Sequence, residues 1–400
     1  MRKIYYGKAN YGNEEIKAAI KVLKNSSLSL MDGKKVRLFE KKIPRLFGKK
    51  FGLMVNSGSS ANLLALLSLN LKKGGEIITP LLTFSTTIAP IYQCNLLPKF
   101  VDVKKNTFVA DLEQVLKSIN SKTVAIMLPN LLGNIPDWEE IKKYIKKKNI
   151  ILIEDSADTI GFKINNLYQK YTDISTCSFY ASHLITGAGF GGIVCFNNES
   201  NYRKALLLRG WGRSSALSKE SEKLKDRFAI KISGIDYDNK YIFSGMGYNF
   251  LPSEISAAFA LEQLKKIKIF KKKRNDNFNY LKKEIDKTLS SYFDTAHIDE
   301  KNDTVWLAFP LVLKNEKIKR KDLQIYLEIA GIQTRTIFTG NILRQPCMKG
   351  LKYKINKKIS KHESDRIMKN GILLGCHQGL SKKDLDYMLE KLKSFIYKLK

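Results

Sequence analysis

Three short stretches of the chain carry side chains whose types and spacing can do chemistry. The first is Asn56-Ser57-Gly58-Ser59-Ser60-Ala61-Asn62, which follows the apolar run 51–55 and opens a Leu-rich helical pattern. Small residues with free backbone N–H groups at a helix start make an anion site, here suited to a phosphate. The same pattern also serves as a plain strand-to-helix turn with a serine cap. It is neither a P-loop nor a G-x-G-x-x-G fingerprint, which takes support from nucleoside triphosphate and dinucleotide readings.

The second stretch is Ile153-Glu154-Asp155-Ser156-Ala157-Asp158, at the carboxyl end of an apolar run, where open α/β sheets put their ligands. A carboxylate there can pair with a protonated ring nitrogen, as an aspartate does beside a pyridoxal phosphate (PLP) ring, and helix capping is the structural alternative. In the third, Ser178 ends a strand-like run and can reach a phosphate, His183 follows five residues later, and a Gly-rich loop (187–192) leads into a further strand around Val194. A histidine there is either a proton carrier or a hydrogen-bonded structural residue.

The elements that position these groups are legible in the hydrophobic pattern. Ile16, Ala19, Ile20 and Leu23 recur at helical spacing, and short β-branched runs at 51–55, 76–79, 100–103, 123–127 and 149–153 alternate with charged helical segments. That alternation predicts an α/β fold with a large, mostly parallel sheet covered on both faces. The pattern changes near residue 265, which divides the chain into a large domain (1–265, with its N-terminal segment) and a small C-terminal α/β domain (266–400). A long helical stretch over 254–287 joins them. Beyond it the pattern predicts a strand at 305–313, a helix at 320–329, a strand at 332–336 and a closing helix from 382.

Composition narrows the function classes. The 400 residues hold 70 Lys and Arg against 38 Asp and Glu, a net charge of +32, with 44% hydrophobic content that excludes disorder. The lysines are spread over helix faces, as in 142–148, so a solvated basic surface is expected rather than a nucleic-acid site. No apolar run approaches the roughly 18 residues that span a bilayer, and the polar first residues do not form a secretory leader, so no membrane partner and a cytoplasmic location are expected. The five cysteines (Cys94, Cys177, Cys195, Cys347, Cys376) form no C-x-x-C pair, which argues against a disulfide framework or a zinc site. No metal is expected.

The order N-S-G-[ST]-[ST]-A-N, then E-D at a strand end, then S-F-Y with a basic residue shortly after, together with Gly247-Tyr248-Asn249-Phe250, resembles the PLP-dependent sugar aminotransferases of the DegT/StrS family over nearly the whole chain. The resemblance implies the aspartate-aminotransferase fold (fold type I), with active sites at a homodimer interface. It implies that Gly58, Ser59, Ser60 and Ser178 hold the cofactor phosphate, joined by Asn249 from the partner subunit. Phe84 falls where the family stacks an aromatic ring on the pyridine, Asp155 where it pairs with the ring nitrogen, and Asp158 near the PLP 3-oxygen, where the family usually has a longer side chain.

One departure is decisive. Position 183 is where the family has the lysine that binds the cofactor covalently; here it is His183, and no lysine occurs between Lys170 and Lys204. Imidazole forms no stable Schiff base, so the cofactor is expected to be held non-covalently and to act as pyridoxamine phosphate (PMP). This replacement resembles the branches that remove the C3 hydroxyl of nucleotide-linked 4-keto-6-deoxy sugars, the GDP-4-keto-6-deoxymannose 3-dehydratases and the iron–sulfur CDP-4-keto-6-deoxyglucose 3-dehydrases. The second branch keeps cluster cysteines after a G-W-G-R-like segment, but here Gly210-Trp211-Gly212-Arg213 is followed by no cysteine until Cys347, and a cluster needs about four thiolates. The cluster-free branch is therefore expected, with glutamate as amino donor and Arg213, Asn341 and His377 as candidate substrate contacts; for His377 a packing role is the alternative. A nucleotide-sugar aminotransferase that tolerates His183 is the other reading within the fold. A further departure, Ala188-Gly189-Phe190 before Gly191-Gly192, is expected to reshape the floor beside His183.

Overall fold

The computed structural model describes residues 3–25, 30–168, 170–217, 223–315, 317–355 and 362–398. Short apolar runs become the strands of one large sheet: β1 (Phe51–Val55), β2 (Glu76–Pro80), β3 (Leu97–Val101), β4 (Thr123–Pro129), β5 (Ile151–Asp155), β6 (Ile174–Ser178) and β7 (Gly192–Phe196). Their order is β1-β7-β6-β5-β4-β2-β3, with the two-residue strand Lys354–Ile355 added beside β3. Neighbours pair in parallel except for β7, which runs antiparallel to both β1 and β6. Every residue of β2, β6 and β7 is buried, as expected of strands covered on both faces. Because β1, β5 and β6 point the same way, Asn56, Asp155 and Ser178 arrive at one edge of the sheet.

A second sheet, in the part of the chain expected to form the small domain, is four-stranded and antiparallel in the order Phe293–Thr295, Phe309–Leu313, Gly371–Leu374, Arg335–Thr336. Helices Ile267–Thr288, Arg320–Ile329 and Lys382–Tyr397 pack on it through Phe278, Leu281, Leu323, Leu327, Leu389 and Leu392. The chain crosses between the two parts more than once. Ile4 exchanges backbone hydrogen bonds with Gly331 and Gln333, both 2.8 Å, while Lys354–Ile355 extends the large sheet.

Several boundaries differ from the sequence expectation. The stretch 254–287 is two helices, Glu254–Lys265 and Ile267–Thr288, meeting at Lys266. Within 305–313 only Phe309–Leu313 pairs in the sheet. Residues 305–307 are apolar for a different reason: they pack in the junction, where the Leu307 N–H donates to the Leu132 carbonyl. The strand expected at 332–336 is only Arg335–Thr336 in the sheet, since Ile332 pairs with Ile4, and the one expected at 100–103 lies at Leu97–Val101. The strand Gly371–Leu374, flanked on both sides in the small sheet, was not foreseen: four apolar residues carry too little periodicity to be read. Among the described residues no helix is long and apolar enough to cross a membrane.

Candidate active site

A cavity of about 480 Å³ opens at the carboxyl edge of the large sheet, where the small domain and the N-terminal segment close over it. Gly58, Ser59, Phe84, Asp155, Asp158, Ser178 and His183 line one wall, so most of the residues singled out in the sequence meet in one place. Tyr6, Leu307 and Phe338 face them; nothing in the local sequence pattern of these three marks them.

The anion end is built on helix Gly58–Leu67. Ser57 is its cap, its Oγ accepting the Ser60 N–H at 3.1 Å. Ser178 packs against the helix start so closely that a Cβ on Gly58 would stand 2.7 Å from the Ser178 Cβ. A Cβ on Gly192 would stand 2.2 Å from the Ser57 carbonyl oxygen, so glycine at both places lets the two segments close on one small volume. Ser60 does not line the cavity: its Oγ donates to Asn56 Oδ1 at 2.6 Å and so belongs to the turn, while Ser57 lines the wall instead.

Asp155 is held from three sides. Its Oδ2 accepts from Asn62 Nδ2 and Thr87 Oγ1, each at 2.8 Å, and its Oδ1 accepts from the Ala157 N–H at 3.1 Å. Thr176 Oγ1 donates to Asn62 Oδ1 at 2.6 Å and thereby turns the amide NH₂ of Asn62 toward Asp155. Burial raises the Asp155 pKa, against those three hydrogen bonds. A cationic ring nitrogen brought beside it would favour the ionised form. Asp158 accepts from the Leu132 N–H at 2.9 Å, and burial pushes it up to about 7. Phe84 is 53% exposed and meets Phe338 edge-on, ring centroids 6.3 Å apart, which leaves an aromatic face open to the cavity.

His183 sits at the turn after β6, with Nδ1 3.2 Å from the Ser178 carbonyl oxygen. A carbonyl only accepts, so Nδ1 carries the proton and Nε2 keeps its lone pair. Burial lowers the imidazole pKa to about 4, so the ring is neutral near pH 7. Among the described residues no lysine lines this cavity. A second cavity of about 480 Å³ shares Tyr6, Phe84 and Phe338 with the first and adds Arg335, whose guanidinium stands 5.8 Å from the Tyr6 ring centre.

Four residues proposed from the sequence lie outside these walls. Asn249 is exposed on the segment after Gly247, and Arg213 is stacked on Trp211, 4.5 Å from its ring centre, with Tyr241 and Phe243 within 6 Å. Asn341 is 3% exposed and spent on structure, its Nδ2 donating to Asp365 and its Oδ1 accepting the Leu343 N–H. His377 is likewise buried: Nε2 donates to the Tyr5 carbonyl and Nδ1 accepts the Gly379 N–H, both at 3.2 Å. Packing, the alternative for His377, is what its surroundings support.

A serine-rich helix start, a buried carboxylate, an open phenylalanine face and no lysine fit PLP or PMP held without a covalent bond. Fold and site together define a PLP-dependent enzyme of the aminotransferase fold. The chain belongs to the DegT/DnrJ/EryC1/StrS aminotransferase family, whose profile matches residues 10–393. It is 34% identical over 371 residues to the lipopolysaccharide biosynthesis protein RfbH of Salmonella typhimurium, covering 89% of this chain and 84% of that one. It is 33% identical over 396 residues to the GDP-4-keto-6-deoxy-D-mannose 3-dehydratase of Escherichia coli, covering 95% and 96%. A crystal structure of GDP-4-keto-6-deoxymannose-3-dehydratase with a trapped PLP–glutamate geminal diamine superposes with a TM-score of 0.86 at 31% identity, covering 98% of this chain and all of that one.

Proposed function

We propose that the chain removes the C3 hydroxyl of a nucleotide-linked 4-keto-6-deoxy sugar, using non-covalently bound PMP and glutamate as the amino donor. The observation that carries this is His183 in the cavity wall, with Nδ1–H spent on the Ser178 carbonyl, Nε2 unspent and no lysine beside it. The bound cofactor supplies the amine that engages the C4 ketone and the ring that takes up electrons. Ser57, Ser59 and Ser178 would hold its phosphate at the helix start, Asp155 would keep the ring nitrogen in its cationic form, and Phe84 would offer its face to the ring. His183 Nε2 takes a proton from carbon and returns it to the leaving C3 oxygen, so one residue acts as base and then as acid. The C3 hydroxyl leaves as water, a solvent proton takes its place on carbon, and hydrolysis releases the nitrogen as ammonia and restores the C4 ketone, the amine being replenished from glutamate. Arg335 is the cation at the mouth, placed to meet a carboxylate or phosphate of an incoming substrate.

The assembly belongs to the same reading. Asn249 is exposed on a stretch of chain that also exposes Tyr241, Phe243, Met246 and Tyr248. A second copy covering this surface would bring Asn249 to the neighbouring phosphate site and Arg213 toward the neighbouring substrate.

Incubating the protein with PLP, glutamate and a panel of nucleotide-linked 4-keto-6-deoxy sugars tests the proposal. The sugar product should weigh less than the substrate by one oxygen. A product that keeps its C3 hydroxyl and carries a C4 amine would make the chain an aminotransferase. Turnover only with added iron and an electron donor would place it with the iron–sulfur dehydrases.

A further inference from the structure

Arg274 stands at the end of the run Lys271-Lys272-Lys273-Arg274 on helix Ile267–Thr288, yet it is wholly buried, with 0% exposure. It shares the inward face of the helix with Phe270, Asn277, Phe278 and Leu281. Its Nε donates to Gln378 Oε1 at 2.6 Å, and Nη1 to the carbonyls of Leu307 (2.8 Å) and Trp306 (3.3 Å). Nη2 reaches the carbonyls of Ser182 (3.3 Å) and His183 (3.4 Å). All these acceptors are neutral, and among the described residues Arg274 forms no ion pair, Asp158 acting on it only from beyond ion-pair distance. A buried charge without a counter-ion is costly, and an apolar side chain would fill the same space at less cost.

We propose that Arg274 is a positioning residue for His183, fixing the Ser182-His183 backbone against the small domain so that Nε2 stays aimed at the reacting carbon. The guanidinium suits this task because its rigid fork serves three separate segments at once, which the single ammonium of lysine cannot do. Its charge has a second effect, since a cation near the imidazole disfavours a second one. The titratable groups that line the cavity with His183 are Asp155 at the end of β5 and Asp158 beyond it, Tyr6 from the N-terminal segment and Tyr180 in its own turn, while Cys376 and His377 feel Arg274 from its other side. Burial and Arg274 act in the same direction on His183, and the hydrogen bond to the Ser178 carbonyl acts against them. The inference rests on His183 as the proton carrier.

The test uses the cofactor-loaded protein with carbon-13-labelled histidine, the His183 signal being assigned by its loss in His183→Asn. In the native protein that signal should titrate near 4. In Arg274→Met it should rise but stay well below the ordinary 6.5, because burial, the larger cause, remains, with kcat about a hundredfold lower and KM for the sugar within about threefold. Arg274→Lys should keep the low titration but still lose kcat, because charge is retained and geometry is not. Should Arg274→Met fail to fold, Gln378→Glu places a carboxylate at Nε, weakens the field of the cation and should raise the His183 titration by itself. Folded variants with kcat within about threefold of native and an unmoved His183 titration would overturn the proposal. Dehydration that survives in His183→Asn would overturn the proton-carrier role instead, whatever the Arg274 variants show.

Discussion

Two histidines flank Arg274, and they differ in what they can do. His183 lies on the turn after β6 and His377 on the turn after strand Gly371–Leu374. Burial lowers both to about 4, with Arg274 pushing each in the same direction, so both are neutral near pH 7. His377 has committed both nitrogens to backbone groups of Tyr5 and Gly379, whereas His183 has committed only Nδ1, to Ser178. Neither residue type nor proton affinity separates the two. The unspent lone pair does, because a proton carrier needs one nitrogen that the fold has left alone.

The largest expected effect breaks that contrast at its source. His183→Lys should lower dehydration by at least about a thousandfold, since it removes the proton carrier and offers the cofactor an amine. Borohydride reduction followed by denaturation should then leave a pyridoxyl group on the variant and none on the native chain; retained dehydration would end the role of His183. Next in size is Asp155→Ala, which should weaken cofactor affinity by about a hundredfold by removing the ion pair to the ring nitrogen, read by titration of the cofactor absorbance. Asn249→Ala should weaken the same affinity by about tenfold without touching the cavity wall of its own chain. Sedimentation that showed an active monomer would remove the basis for that expectation.

The smallest activity effect belongs to the other histidine. His377→Leu should leave kcat within about threefold while lowering unfolding free energy by about 2 kcal/mol, because the Tyr5 carbonyl and Gly379 N–H lose their partners. A urea titration and a turnover assay on one preparation separate the two quantities. The sign of the pH effect follows from the same burial. A histidine lowered from 6.5 to about 4 contributes stability that is fully present above pH 6.5 and is lost as pH falls through 4. The urea midpoint of the native protein should therefore decline on acidification between pH 6.5 and 4, and less steeply in His377→Leu. Asp158, raised from 3.8 to about 7, works in the opposite sense: its contribution is full below pH 3.8 and is lost as pH rises through 7.

Much of the site was legible because its parts are local. The Ser-Gly-Ser turn, the Asp155 strand end and the position of His183 relative to Ser178 are each short segments whose spacing carries the chemistry. Spacing alone does not say where each hydroxyl of a helix start points: Ser57 caps the helix and lines the cavity, while Ser60 Oγ turns to Asn56. Asn62 and Thr87 escaped notice as holders of Asp155, since one lies inside an apolar helix and the other in a segment read only for Phe84.

The sequence by itself determined the fold class, the three chemical segments and the absence of a lysine at the position of His183, because periodicity and motif order are properties of neighbours along the chain. Only folding brings Tyr6, Leu307 and Phe338 to the cavity and Arg335 to the cavity next to it. It decided too that Asn341 and His377 are spent on backbone and capping contacts. The sharpest case is Arg274, which in the sequence looks like a fourth solvated cation after three lysines. Its helix turns it inward beside Phe278, onto carbonyls more than 90 positions earlier in the chain. No local pattern encodes that meeting, since a charged side chain becomes buried only where distant acceptors converge to satisfy every donor it carries.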